Sequence, residues 1–128
     1  MVEKELFTYL KNMYLADLTS AEDSMSRWDC VSDYSKVRIE LKCRRTHYDT
    51  LLLEKKKYDA MIESVKGSGY RPLYINSTPK GIYSFDLSEI KPKWIVNNLN
   101  PATTDFRNNG KVSKEVSYLG IDESTKIK

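Results

Sequence analysis

Residues 27–44 of the chain, RWDCVSDYSKVRIELKCR, contain two segments of strand-like alternation around a short polar turn. Side chains along a β-strand point to alternate faces. In the second segment the apolar face comprises Val37, Ile39, Leu41 and Cys43. The charged face comprises Arg38, Glu40, Lys42 and Arg44. This complete separation predicts a β-hairpin with one buried face, formed by strands over 27–31 and 37–44.

The hairpin is predicted to turn between Tyr34 and Ser35, and this register fixes which residues face each other. The predicted pairs are Arg27 with Lys42, Trp28 with Leu41, Asp29 with Glu40, Cys30 with Ile39 and Val31 with Arg38. The pairing places two carboxylates and a lysine on the same face of the hairpin.

Two facing carboxylates repel each other, and a divalent cation between them removes that repulsion. Mg²⁺ binds hard oxygen ligands and is typically held by one or two carboxylates together with waters and substrate phosphate oxygens. Asp29 and Glu40 fit this description. The Lys42 ammonium, on the same face, is suited to orienting a metal-bound water and offsetting negative charge on an attacked phosphate.

Asp29 followed by Glu40-Leu41-Lys42 resembles the motif of the PD-(D/E)XK nuclease superfamily. The segments IELKCRRTHYDTLLLEKKKYD (39–59) and PLYINSTPKGIYSFDL (72–87) look like those of small phage-type members. The resemblance covers roughly residues 1–90. It implies an α/β (α+β) restriction-endonuclease-like core, in which a mixed β-sheet is flanked by an N-terminal helix and by a helix after the Glu-x-Lys strand.

The resemblance also implies Mg²⁺-dependent hydrolysis of phosphodiester bonds in DNA, with Mn²⁺ able to replace Mg²⁺. Asp29, Glu40, the Leu41 carbonyl and a further acidic residue would hold the metal, and Lys42 would lie beside the attacking water. Many members take the further acidic residue from the first helix. The candidates here are Glu3 and Glu5 in that helix and Glu22 in the loop before Asp29, and we favour Glu22 for its proximity in sequence.

Basic residues follow the motif and are candidate nucleic-acid contacts, namely Arg44, Arg45, His47, Lys55 and Lys57. Such side chains bind backbone phosphates in a salt-dependent way. The alternative for the lysines is a solvated helix face with i,i+4 ion pairs. For His47 the alternative is a capping or packing role.

The remaining pattern predicts a helix over residues 3–15 and a second helix from Asp49 or Thr50 to Val65. Strands are predicted at 70–76, 82–87 and 94–99, with a last short strand around residues 112–118. We expect one nuclease-like domain over residues 1–120 and a loose C-terminal tail over 121–128.

The 128 residues suit one domain, and 21 basic against 18 acidic residues give a net charge of +3. The charges are segregated, because residues 1–35 hold three basic and seven acidic groups whereas residues 36–66 hold nine and five. No apolar run approaches the roughly 20 residues of a membrane span, so we expect a cytoplasmic protein, in the host cytoplasm if a phage encodes it. Cys30 and Cys43 lack metal-ligand spacing and are expected to be reduced core thiols.

Two functions from different classes remain open at this point. One is a small endonuclease that reads DNA backbone or structure more than sequence, and a homodimer with two sites is compatible with it. The other is a non-catalytic nucleic-acid-binding or phage accessory protein on a nuclease-like fold. Without the family resemblance, the charged hairpin face also fits a solvated cross-strand network.

Overall fold

The computed structural model describes residues 1–21, 26–99 and 112–128, which form two helices and two sheets. The helices are α1 (Glu3–Met13) and α2 (Lys55–Val65). The strands are β1 (Thr19–Ser20), β2 (Cys30–Ser32), β3 (Val37–Cys43), β4 (Thr50–Glu54), β5 (Arg71–Thr78), β6 (Gly81–Asp86), β7 (Ile95–Leu99), β8 (Val112–Gly120) and β9 (Thr125–Lys126).

The larger sheet has six strands in the order β1-β2-β3-β5-β6-β9. Strands β3 and β5 are parallel, and every other neighbouring pair is antiparallel. The sheet is therefore mixed, as predicted. In the β2–β3 hairpin Cys30 pairs with Ile39 and Val31 with Arg38, which confirms the predicted register for these residues.

The predicted alternation fails at Asp29, before the first paired residue of β2. The Asp29 N–H donates to the carbonyl of Ile39, the residue that also pairs with Cys30. Two residues thus oppose one, as in a β-bulge, and the side chains before this point change face. Trp28, which we had placed opposite Leu41 on the apolar face, instead stacks on the guanidinium of Arg38, 4.3 Å from the ring centroid.

The core lies on both faces of this sheet. On one face, α1 packs Leu6 and Leu10 against Val37 and Ile39 of β3. On the other face, α2 and β4 pack Met61 and leucines against aromatic residues of β5 and β6; this cluster includes Leu51, Leu53, Tyr74, Tyr83 and Phe85. Glu40 and Lys42 project from β3 toward this second face, because they alternate with the buried Ile39 and Leu41.

The second sheet, in the order β4-β8-β7, corrects the predicted start of the second helix. Residues Thr50–Glu54 form a strand that pairs with β8, and the helix begins at Lys55. Leu51 and Leu53 are buried while Leu52 between them is half-buried. A run of three leucines fits either a helix or a strand, and pairing with β8 decides it.

The last residues, for which we expected a loose tail, form a 3-10 turn at Ile121–Glu123 and the short strand β9. Thr125 and Lys126 pair with Ser84 and Tyr83 of β6. Neither of the two described helices is long and apolar enough to cross a membrane.

Candidate active site

Asp29 is fixed beside β3 by a backbone hydrogen bond. The Leu41 N–H donates to Asp29 Oδ2 over 2.7 Å. The bulge before β2 turns the Asp29 side chain toward this N–H. Because Leu41 follows Glu40 in the chain, the hydrogen bond holds the Asp29 carboxylate near Glu40. The predicted pairing of the two carboxylates thus arises through a side-chain contact instead of a regular ladder position.

Glu40 is a buried carboxylate with 7% exposure. Burial, followed by the negative charge of Asp29, raises the pKa of Glu40 from 4.5 to about 7, and the nearby Lys57 ammonium opposes the shift. Asp29 is close enough to share a hydrogen bond with Glu40 when the pair holds a proton. Desolvation and mutual repulsion therefore both favour a cation at this position.

An open cavity of about 490 Å³, here called the site cavity, brings the predicted residues together. Its lining includes Asp29, Glu40, Leu41, Lys42 and Lys57. Lys42 is exposed and directed to the cavity side of β3, away from the core. The three residues of the motif thus share one solvent-accessible space.

Of the three candidates for a further acidic residue, Glu3 lines the site cavity. Partial burial and then the charge of Asp29 raise the pKa of Glu3, and Lys57 lowers it. Glu5 is occupied elsewhere, since its Oε1 accepts the Val2 N–H over 2.9 Å. Glu22 lies outside the described residues.

The candidate nucleic-acid contacts have different surroundings. Lys57 reaches Glu40, with 3.2 Å between Nζ and Oε2, and Lys55 pairs with Asp59 over 2.8 Å. Arg45 is exposed. The His47 side chain is only 8% exposed, and its Nδ1 lies 2.9 Å from the Thr78 hydroxyl. The packing alternative therefore describes His47 better than the phosphate contact.

Arg44 also differs from its predicted role, because its guanidinium is tied into the fold. Its Nε donates to Asn76 Oδ1 over 2.8 Å, and its Nη2 donates to the Leu52 carbonyl and to the Tyr74 hydroxyl. These bonds join the residue that follows β3 to β4 and β5. Arg44 lines the site cavity, but the described hydrogen bonds direct its guanidinium to the protein.

Arg44→Ala is expected to destabilise the protein by about 1–3 kcal/mol, since it leaves the buried Asn76 Oδ1 without its donor and removes one of the two side-chain donors to the Leu52 carbonyl. Asn76 is fully buried, and its Nδ2 already has no partner among the described residues. The measurement is urea unfolding followed by circular dichroism. Arg45→Ala, a change of the exposed neighbouring arginine, is the matched control and should leave the midpoint nearly unchanged. Equal midpoints for the two variants would contradict the structural role of Arg44.

Glu54 is a site residue that the sequence did not indicate. It lines the site cavity from the end of β4 and forms an ion pair with Lys114 of β8 over 3.0 Å. The sequence predicts residues 50–54 as the first turn of a helix, and this placement gives no indication that Glu54 lies at the site. If Leu51–Leu53 are interpreted as a strand, Glu54 becomes the last residue of that strand, which is the position it has at the site.

Similarity to proteins of known structure supports the fold. The chain superposes on the structure of Archaeoglobus fulgidus Hjc, described as a Holliday junction resolvase, with a TM-score of 0.60. The match covers 98% of this chain and 88% of that chain, at 13% sequence identity. The chain has a restriction-endonuclease-like fold. No protein-family model matches the sequence, and no curated protein is significantly similar to it.

The donor set at the site fits a hard divalent cation. Across residues 1–21, 26–99 and 112–128, no three Asp, Glu, His or Cys side chains are grouped as a complete metal site. Two adjacent carboxylates beside an open cavity instead match the way Mg²⁺ is held, with few protein ligands and the remaining positions left to water and phosphate oxygens. A closed zinc site of Cys and His ligands does not fit these residues.

Proposed function

We propose that this protein is a nuclease that hydrolyses phosphodiester bonds in DNA with the help of Mg²⁺. The observation that carries the proposal is the grouping of Asp29, Glu40 and Lys42 around one open cavity. The fold adds support, since a protein described as a Holliday junction resolvase has the same fold. A phage origin stays a prediction from the sequence.

Asp29, Glu40 and the Leu41 carbonyl would hold the metal ion. Of the candidates for a further acidic residue, Glu3 lines the same cavity, but within the described ranges it is not grouped with Asp29 and Glu40 as a third ligand. Glu22, which we favoured from the sequence, stays a prediction. When bound, Mg²⁺ supplies Lewis acidity that generates a nucleophilic water and offsets charge on the phosphate. Mn²⁺, which accepts the same oxygen ligands, is expected to substitute.

The residues of the chain have separate tasks in this proposal. The Leu41 N–H fixes the Asp29 carboxylate, so that it is oriented before substrate arrives. The exposed Lys42 ammonium borders the cavity, where it is placed to orient the attacking water and to stabilise the negative charge that develops on the phosphate. Hydrolysis forms a bond from the water oxygen to phosphorus and breaks the bond from phosphorus to a sugar oxygen.

The proposal is tested with a cleavage panel of supercoiled, linear, nicked, single-stranded and four-way branched DNA, with single-stranded RNA included. We expect cleavage of at least one DNA in Mg²⁺ or Mn²⁺ and none in EDTA. Recognition of backbone and shape predicts that cleavage depends on DNA structure more than on sequence.

Asp29→Asn, purified in parallel, is the control against a contaminating nuclease, because it keeps an oxygen for the Leu41 N–H but removes the charge. It should not cleave. If the wild type cuts nothing in either metal, or if Asp29→Asn cuts equally well, the proposal is wrong. Tight DNA binding without cleavage would instead support the non-catalytic alternative.

A further inference from the structure

The exposed Lys57 forms an ion pair with the buried carboxylate of Glu40. Its Nζ lies 3.2 Å from Glu40 Oε2, and the two side chains are 59% and 9% exposed. Among the described residues, no other cation lies within 4.0 Å of this carboxylate. A buried carboxylate needs such a partner, because its desolvation is otherwise uncompensated. Lys57 therefore occupies, in the protein alone, the position of the counter-charge that a metal ion would supply.

The place of Lys57 in α2 is unfavourable for the helix itself. Lys55, Lys56 and Lys57 form the first turn, which contains no acidic residue. The helix dipole disfavours cations at this end by about 0.3–1 kcal/mol each. Lys55 offsets this with its i,i+4 partner Asp59. For Lys57, the compensating contact is Glu40, which lies outside the helix.

Lys57 also stands between two cavities. It lines the site cavity and a neighbouring groove of about 700 Å³. The rest of that groove carries three lysines and three carboxylates, namely Lys55, Lys56, Lys114, Glu54, Asp59 and Glu115. Lysine has a flexible four-carbon stem and a compact charge. Because Lys57 borders both cavities, its ammonium is within reach of a ligand in either one.

We propose that Lys57 is a second substrate-contacting lysine, which neutralises Glu40 in the metal-free protein, yields that carboxylate to a divalent cation, and then binds the phosphate that is cleaved. The proposal rests on the proposed function, because it assumes a cation at Glu40 and a phosphodiester at the site. It differs from a general phosphate contact on the DNA path, since it makes Lys57 compete with the metal.

Competition predicts that removing Lys57 strengthens metal binding. In titration calorimetry with Mn²⁺ alone and the full chain, Lys57→Met is expected to bind about three- to tenfold more tightly than the wild type. Lys56→Met removes the same charge from the same helical turn without touching Glu40, and should change the affinity less. Damage to the site would weaken binding, so unchanged or weaker binding by Lys57→Met would overturn the proposal.

The second arm measures cleavage at saturating Mg²⁺ on the DNA that the wild type cuts. We expect Lys57→Met to lower kcat at least tenfold despite its tighter metal binding, and Lys57→Arg, which keeps the charge, to recover most of the rate. A purely structural counter-ion would leave kcat at saturating metal unchanged and would contradict the proposal. A wild type that neither binds Mn²⁺ nor cleaves would refute the proposed function, whereas normal cleavage by Lys57→Met would refute only the role of Lys57.

Discussion

Glu40→Gln is expected to make the metal-free protein more stable at pH 8 and to abolish both cleavage and stabilisation by Mg²⁺. Burial, and then the charge of Asp29, raises the pKa of Glu40 from 4.5 to about 7. The folded protein therefore binds a proton at Glu40 more tightly than the unfolded chain does. Ionisation of Glu40 costs stability, and glutamine, which is neutral at every pH, avoids this cost.

The sign of the pH dependence follows from the same shift. Below pH 4.5 Glu40 is protonated in both states, and the stabilising effect of its raised pKa is fully present. As pH rises through 4.5 toward about 7 that stability is lost, by an amount on the order of 3 kcal/mol, or roughly 10 °C in Tm. The wild type and Glu40→Gln should thus have similar Tm values at pH 4 and diverge by pH 8, with the variant higher.

Mg²⁺ should reverse this order at pH 8. A cation at Asp29 and Glu40 compensates the ionised pair, so the wild-type Tm should rise with Mg²⁺ concentration while that of Glu40→Gln stays flat. Differential scanning fluorimetry in EDTA and in a Mg²⁺ series measures both effects. Glu63→Gln, at an exposed position on α2, is the control and should follow the wild type. A lower Tm for Glu40→Gln at pH 8 in EDTA would contradict the interpretation that ionised Glu40 destabilises the metal-free protein.

The hairpin at the centre of the fold is predictable because strict alternation of apolar and charged residues indicates a β-strand. In β3, apolar and charged residues alternate without exception, and Val37 and Ile39, exposed by 1% or less, lie on the face that α1 covers. The turn fixes the register, so the charged face with Glu40 and Lys42 follows directly. This part of the site needed only local information.

Asp29 shows where such reasoning ends. The prediction assumed a continuous ladder, but the Ile39 carbonyl accepts the Asp29 N–H and the strand bulges there. One extra residue reverses the face of every side chain before it, which is why Trp28 meets Arg38 instead of Leu41. Nothing in a sequence pattern distinguishes a bulged position from a regular one when a carboxylate can satisfy the neighbouring N–H.

The second sheet was missed for a different reason. Residues Leu51–Leu53 precede a genuine helix, and their apolar side chains continue its pattern as well as they fit a strand. The choice is made by β8, which pairs with them more than 60 residues later in the chain. Long-range pairing of this kind overrides local propensity, and it carries Glu54 into the site.

The sequence also did not predict which residues the charged side chains contact. Alternation places Arg44 on the face of Glu40 and Lys42, which suggested a phosphate contact. Its planar guanidinium instead meets three oxygen acceptors from β4 and β5. Sequence predicts the face of a side chain, whereas its partner depends on which strands lie beside it. Lys57, predicted as a DNA contact on a helix, similarly reaches Glu40 because β4 ends beside the site.

Lys42→Met is expected to lower the rate of cleavage by about 10² to 10³ while leaving folding and metal binding intact. The Lys42 side chain is exposed, and within the described ranges it has no hydrogen bond or ion pair, so removing its ammonium breaks no contact of the fold. Methionine keeps the length of the stem and removes only the ammonium. The loss should appear in kcat at saturating Mg²⁺, because the charge acts on the attacked phosphate and its water.

The comparison with Lys57→Met separates the two lysines. Lys42 does not pair with a carboxylate in the described structure, so Lys42→Met should not tighten Mn²⁺ binding as Lys57→Met does. Lys66→Met, at the C-cap of α2 and about 14 Å along the helix axis from Lys57, serves as the control for both and should cleave at the wild-type rate. Cleavage by Lys42→Met at the same rate as Lys66→Met would contradict the catalytic role of Lys42. The two carboxylates would then act without this lysine. If Lys42→Met lowered Tm together with the rate, Lys42 would have a structural role. Its exposure on the cavity side of β3 argues against that outcome.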